Sequence, residues 1–177
     1  MYLWIGCKLP ADFENAIRSH CLTLNETIGL STAPFSLPQH ISLKISFDAG
    51  TQYPQVIQWA EEKLKECNRF YVNLLPPEQI GNILWLPVKE NAVLNQLHQL
   101  LDQELERRFQ IPQHDFDKAF LFHSTLFMDE NTEKLSQMAK KLASLSLPNS
   151  LEVNTFLVGI STDGKTDIRI IREISLS

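Results

Sequence analysis

Two short stretches constrain this chain more than any other feature. "QHISLKISF" (residues 39–47) and "FHSTLFM" (residues 122–128) each put a histidine at the head of an alternating, half-buried strand. In the first, His40, Ser42, Lys44 and Ser46 fall on one face, and Ile41, Leu43, Ile45 and Phe47 on the other. Around these strands the order of elements repeats. The first half reads as strand "YLWIGCKL", a helix after Pro10, the His40 strand, the helix "PQVIQWAEEKLKEC" and the strand "FYVNLL". The second half reads as strand "NILWLPV", the helix "NAVLNQLHQLLDQELERRF", the His123 strand, a helix opening at Asn131 or Thr132, and the strand "LEVNTFLVGI". Asp163-Gly164 then marks a hairpin into "DIRIIREISL". Trp4 lies 36 residues before His40 and Trp85 lies 38 before His123, so the two tryptophans stand as matching landmarks.

The pattern predicts two β-α-β-α-β units related by a pseudo-twofold axis. At 177 residues the chain is one domain, 1–177, with lobes of approximately 1–78 and 79–177 that are able to exchange strands. His40 and His123 then occupy equivalent places across a central cleft.

Composition narrows the function classes. A net charge of −5 argues against a protein that coats extended nucleic acid, because that affinity comes from Lys and Arg meeting phosphates. Cys7, Cys21 and Cys67 are widely spaced with no C-x-x-C pair, which fits neither a zinc site nor a disulfide framework. No long apolar run is present, so a cytoplasmic protein without a membrane segment is expected. The sequence carries no signal for oligomerisation, and a monomer is the default.

Each histidine is followed at the second position by a hydroxyl, Ser42 or Thr125, which strand alternation places on the same face. Imidazole titrates near neutral pH, so one ring is able to accept a proton while its twin donates one. Two such rings and two hydroxyl donors around one point suit a phosphate undergoing displacement, with no metal and no cofactor required. His20, His98 and His114 lack a comparable setting and read as ordinary core or surface histidines. Trp4 and Trp85 read as core aromatics, with base stacking as the alternative. Lys44 shares the predicted face of His40 and is a candidate substrate contact, against the alternative of a solvated lysine at the strand's outer end.

His40-Ile41-Ser42-Leu43 and His123-Ser124-Thr125-Leu126 resemble the paired His-x-[Ser/Thr]-hydrophobic motifs of the 2H phosphoesterase superfamily. The segments "YLWIGCKLP", "LPQHISLKISF" and "LWLPV" are similar to its 2′-5′ RNA ligase-like, or cyclic phosphodiesterase, branch. The resemblance implies a bilobal α+β fold with antiparallel sheets around a central cleft, and metal-independent chemistry on 2′,3′-cyclic or 2′-5′ phosphodiesters of RNA ends or small nucleotides. It implies His40 and His123 as the catalytic acid/base pair and Ser42 and Thr125 as phosphate-binding residues. The reverse reaction, 2′-5′ ligation, and a non-catalytic nucleotide-binding module are the alternatives. One departure bears on the substrate: this branch often has a basic residue shortly after the second motif, where this chain has Phe127-Met128.

Overall fold

A computed structural model describes residues 1–148, 150–165 and 167–177. The first half runs β1 (Tyr2–Lys8), α1 (Ala11–Asn25), β2 (His40–Asp48), α2 (Tyr53–Leu64) and β3 (Phe70–Val72). After β4 (Glu78–Ile80) the same order resumes with β5 (Ile83–Pro87), α3 (Ala92–Phe109), β6 (His123–Met128), α4 (Thr132–Leu142) and β7 (Leu151–Val153). β8 (Thr155–Ser161) and β9 (Arg169–Ser175) form the hairpin, which turns through Gly164 at φ +74°. The stretch predicted as one strand, "LEVNTFLVGI", is therefore two, parted at Asn154.

Local chemistry sets the helix boundaries. The side chain of Asn91 accepts hydrogen bonds from the Val93 and Leu94 amides at the start of α3, and Asn131 accepts one from Lys134 at the start of α4. α3 ends where Gln110 turns left-handed at φ 53°. Leu94, Leu97, Leu101 and Leu105 face inward at helical spacing.

Among the described residues the strands form three antiparallel sheets with orders β2-β1-β8-β9, β4-β5-β6 and β3-β7. The hairpin thus extends the sheet of the first half, and β3 and β7 contribute one strand from each half to a shared ribbon. One hydrophobic cluster runs through the whole arrangement, from Leu3 and Ile41 to Leu126 and Phe156.

Both motif strands carry the same irregularity. In β2, Gly6 pairs with Ser42 and its neighbour Ile5 with Lys44, so Leu43 is an extra residue. In β6, Trp85 pairs with Thr125 and its neighbour Leu84 with Phe127, so Leu126 is extra. Such a bulge advances the side-chain alternation by one residue. Leu43 and Lys44 are consequently both buried, and so are Leu126 and Phe127.

The bulge corrects the expectation for Lys44. Simple alternation placed it beside His40 and Ser42, but it is 1% exposed and points into the junction between the halves. Its ammonium donates to Asp102 of α3 at 2.6 Å and to Asp117 in the 3-10 turn Asp115–Ala119. His98 of α3 bridges the same place, with Nδ1 2.7 Å from the Leu43 carbonyl and Nε2 3.1 Å from the Asp117 carbonyl. Gln113 donates to Asp102, and the His114 amide donates to Asp117. The matching residue in the other half, Phe127, packs edge-on against Phe35 at 5.3 Å.

Removing one partner of a buried ion pair strands the other charge in a medium that solvates it poorly. Lys44→Ala leaves two buried carboxylates and should cost about 3–5 kcal/mol. Urea denaturation followed by circular dichroism measures it, and a loss below about 1 kcal/mol, the scale of an exposed pair, would contradict this account.

Candidate active site

The two motif strands, one from each half, meet across the cleft. Ser124, at the second position of the second motif, donates its hydroxyl to Oε1 of Gln39, the residue before His40, at 2.9 Å. Both residues are buried, so this bond holds β2 and β6 in mutual register from behind.

Each histidine is oriented by its own strand. Nδ1 of His40 lies 2.7 Å from the Pro38 carbonyl, and Nδ1 of His123 lies 2.6 Å from the Leu121 carbonyl. A carbonyl only accepts, so each Nδ1 carries the proton and each Nε2 is left for proton exchange. Burial holds the His40 pKa below the ordinary histidine value. Its bond to the Pro38 carbonyl opposes this, and the proximity of His123 adds to the lowering. Burial lowers the His123 pKa too, opposed by the Leu121 carbonyl.

Indole rings pack against both imidazoles. Trp4 meets His40 edge-on at 4.4 Å between ring centres, and Trp85 lies at 4.0 Å from His123, tilted by 40°. Both tryptophans are buried and form the backs of the histidines. The strand register shows that they are not equivalent positions. Trp85 pairs with Thr125, and the residue paired with Ser42 is Gly6. Trp4 reaches the corresponding place by laying its ring over Gly6, where an added Cβ would lie 2.5 Å from Trp4 Cζ2.

The hydroxyls differ in state. Ser42 accepts a hydrogen bond from Trp4 Nε1 at 2.9 Å, which leaves its own proton free to donate to a ligand. The Thr125 hydroxyl makes no hydrogen bond to another side chain among the described residues, and the buried Trp85 Nε1 has no partner there. Ser42 and His123 line a cavity of about 360 Å³ together with Trp85, Phe116, Phe120 and Leu121. A larger hollow of about 490 Å³ lies against α1, lined by Phe13, Ile17 and Leu147, and includes neither motif.

The structure thus brings His40, Ser42, His123 and Thr125 to the facing strands and takes Lys44 away. His98, Asp102 and Asp117 each offer an atom within 4.8 Å of the others, a spacing suited to a metal ion. Lys44 supplies the positive charge at that point. His98, read from the sequence as an ordinary core histidine, is buried with both ring nitrogens engaged. The role of Gln39 was missed, although a polar residue directly before the strand and a serine at the second position of the other motif were the available signals.

A protein-family model described as the 2′-5′ RNA ligase superfamily matches residues 32–164. The chain belongs to the 2′-5′ RNA ligase superfamily. The two histidine motifs make it a 2H phosphoesterase, and they fall within the matched segment. No curated protein sequence matches this 2H phosphoesterase. Its fold is shared with TT0787 of Thermus thermophilus (16% identity, TM-score 0.66), with 99% of this chain and 97% of that one covered. E. coli LigT in its apo form matches at 17% identity and TM-score 0.59, over 99% and 96% of the two chains. Usb1 of Kluyveromyces marxianus matches at 11% identity and TM-score 0.55, over 99% and 97%.

Gly6 is the point where the indole behind His40 is most easily displaced. Gly6→Ala also drives a methyl to 2.9 Å from the Ile41 carbonyl oxygen, a contact with no freedom to yield. Overpacking of this kind costs about 1–3 kcal/mol, a fall in melting temperature of roughly 2–12 °C for a chain of this size. Scanning calorimetry tests it, and an unchanged melting temperature would contradict this account.

Proposed function

We propose that this 2H phosphoesterase hydrolyses 2′,3′-cyclic or 2′-5′ phosphodiester bonds of small nucleotides or RNA ends without a metal ion. The observation that carries the reading is the paired Nδ1–carbonyl contact. Both imidazoles are locked in the tautomer that presents Nε2, each with a hydroxyl two residues along its strand. Crystal structures of E. coli LigT complexed with 3′-AMP and with phosphate share the fold at 17% and 15% identity, which supports a nucleotide phosphate as ligand.

In this mechanism the neutral imidazole takes a proton from the attacking water as oxygen bonds to phosphorus. The protonated imidazole gives its proton to the departing ribose oxygen, so the pair ends with its protons exchanged and is reset through solvent. Ser42 and Thr125 donate hydrogen bonds to the non-bridging phosphate oxygens, where negative charge develops. Ligation through a 2′-5′ bond would use the same residues, with the 5′-hydroxyl of a second RNA end attacking the cyclic phosphate in place of water and the 3′-oxygen taking the proton as it leaves.

His40→Ala or His123→Ala should lower kcat by about 10²–10⁴-fold with the circular dichroism spectrum preserved, and the double variant should fall well short of the product of the two losses. Assays on 2′,3′-cyclic nucleotides and 2′-5′ dinucleotides with and without EDTA should give equal rates. A well-folded, active His40→Ala protein would end the reading, and so would a strict requirement for added Mg²⁺, Mn²⁺ or Zn²⁺.

The pH profile follows from the directions of the histidine pKa values. Activity needs one imidazole neutral and the other protonated, so kcat/KM rises through the lower apparent pKa of the pair and falls through the upper one. Burial moves both below the ordinary value of about 6.5, so the optimum should lie on the acid side of that pH. An optimum above about pH 7.5 would require imidazoles stabilised in the charged form, opposite to this environment.

A further inference from the structure

Electrostatically, this cleft is ill suited to a substrate that carries several phosphates. Among the described residues lining the cavity there is no lysine or arginine. Lys44, the one lysine or arginine in either motif strand, is spent inside the protein on Asp102 and Asp117. Lys8 pairs with His40 in the strand register, but its ammonium is held by Glu173 at 2.9 Å. A second hollow of about 430 Å³ continues from the cleft, sharing Trp85, Phe120 and Leu121 with it, and its lining includes the carboxylates of Glu78 and Glu90. A nucleotide chain running on from the reacting phosphate in that direction meets negative charge.

What the cleft offers instead is apolar surface held in place. Phe116 is 72% exposed and Leu121 63% exposed, both on the cavity wall. One face of the Phe116 ring is backed by His114, at 5.1 Å between centres and 24° from parallel. The turn that carries Phe116 is anchored underneath. Asp117, buried against Lys44, also takes the His114 amide, and the His114 ring nitrogen takes the Phe116 amide. An exposed aromatic ring on an anchored turn beside the cleft is a surface on which a planar, uncharged group can stack.

We infer that the cleft takes a mononucleotide-sized substrate whose reacting phosphodiester is its only charged group, with the base against the Phe116–Leu121 wall. The inference rests on the proposed phosphodiester reading and narrows it: mononucleoside 2′,3′-cyclic phosphates fit, whereas ends of long RNA and nucleotides with a 5′-phosphate or diphosphate do not. The imidazolium is then the principal positive charge that the phosphate meets, balanced by a single negative charge on the substrate.

Equilibrium binding tests this without turnover. Calorimetry on the wild-type protein compares inorganic phosphate, 3′-AMP and adenosine 3′,5′-bisphosphate at low salt. 3′-AMP should bind about tenfold more tightly than inorganic phosphate, in line with the stacking of one base on one aromatic ring. The bisphosphate should bind about 3–10-fold more weakly than 3′-AMP, and the gap should close as salt screens the carboxylates. Phe116→Ala should bring 3′-AMP to within about threefold of inorganic phosphate, whereas Phe116→Tyr should keep most of the difference. Equal or tighter binding of the bisphosphate overturns the inference, as does a Phe116→Ala protein that binds 3′-AMP unchanged, or a wild-type protein that does not bind 3′-AMP. If the binding order holds but no cyclic phosphate is hydrolysed, the catalytic reading fails and this one stands.

Discussion

The junction of β2 and β6 is the constraint on which the rest of this molecule depends. Each motif strand belongs to a different sheet, so no backbone ladder holds them together. One buried side-chain contact joins the two strands directly, and a second anchors β2 to elements of the other half. The Gln39–Ser124 hydrogen bond joins the heads of the strands, next to both histidines. The Lys44 ammonium then ties the bulge of β2 to α3 and to the turn beyond it. Polar contacts inside a core are geometrically exacting, because a partner displaced by an ångström leaves an unsatisfied group with no water to replace it. Apolar packing alone would let the strands slide, and sliding by even a fraction of a residue would change the spacing between the two imidazoles.

The two halves solve the same problems with different residues. Both motif strands bulge one residue past the hydroxyl position, and both bury the next two side chains. One half fills that space with a lysine and its carboxylates, the other with Phe127 against Phe35. An indole backs each histidine, delivered by a strand position in line with Thr125 in one case and from two residues further away, over a glycine, in the other. The pseudo-symmetry is thus a symmetry of shape and position more than of chemistry. It leaves the two faces of the cleft unequal: Ser42 has an indole N–H behind it, and Thr125 has none.

Much of this was legible in the sequence because repetition compounds weak signals. One His-x-[Ser/Thr] in a strand says little, but two at matching places in two runs of strand and helix predict the fold and the meeting of the two motif strands, of which Ser42 and His123 line the cavity. Asn131 and Asp163-Gly164 worked as a cap and a turn because such signals act through the local backbone. Lys44 failed for a reason that alternation cannot contain. A bulge arises from the fit of a strand to its neighbour, and nothing in "HISLKISF" taken alone marks Leu43 as the extra residue. The partners of Lys44 lie 58 and 73 residues away, which places them beyond any local pattern. The equivalence drawn between Trp4 and Trp85 failed similarly. Their spacings to the histidines, 36 and 38 residues, do not reveal that the position matching Trp85 is Gly6, 34 residues before His40, which only the strand register shows.

The carbonyl groups that hold His40 and His123 have a consequence for how this site tolerates change. In many acid/base sites a carboxylate side chain orients the imidazole, and a single substitution removes it. Here the orienting atoms are the main-chain oxygens of Pro38 and Leu121, which every amino acid supplies. Neither side chain takes part in this orientation, so the tautomer of each ring is inherited from the chain path itself. A carboxylate would also have stabilised the charged ring and moved its proton affinity upward; a neutral dipole fixes direction with a far smaller effect on charge. Orientation and basicity are thereby largely uncoupled. Changes in the surrounding indoles are left as the route by which the working pH of such a site can be retuned without disturbing its aim.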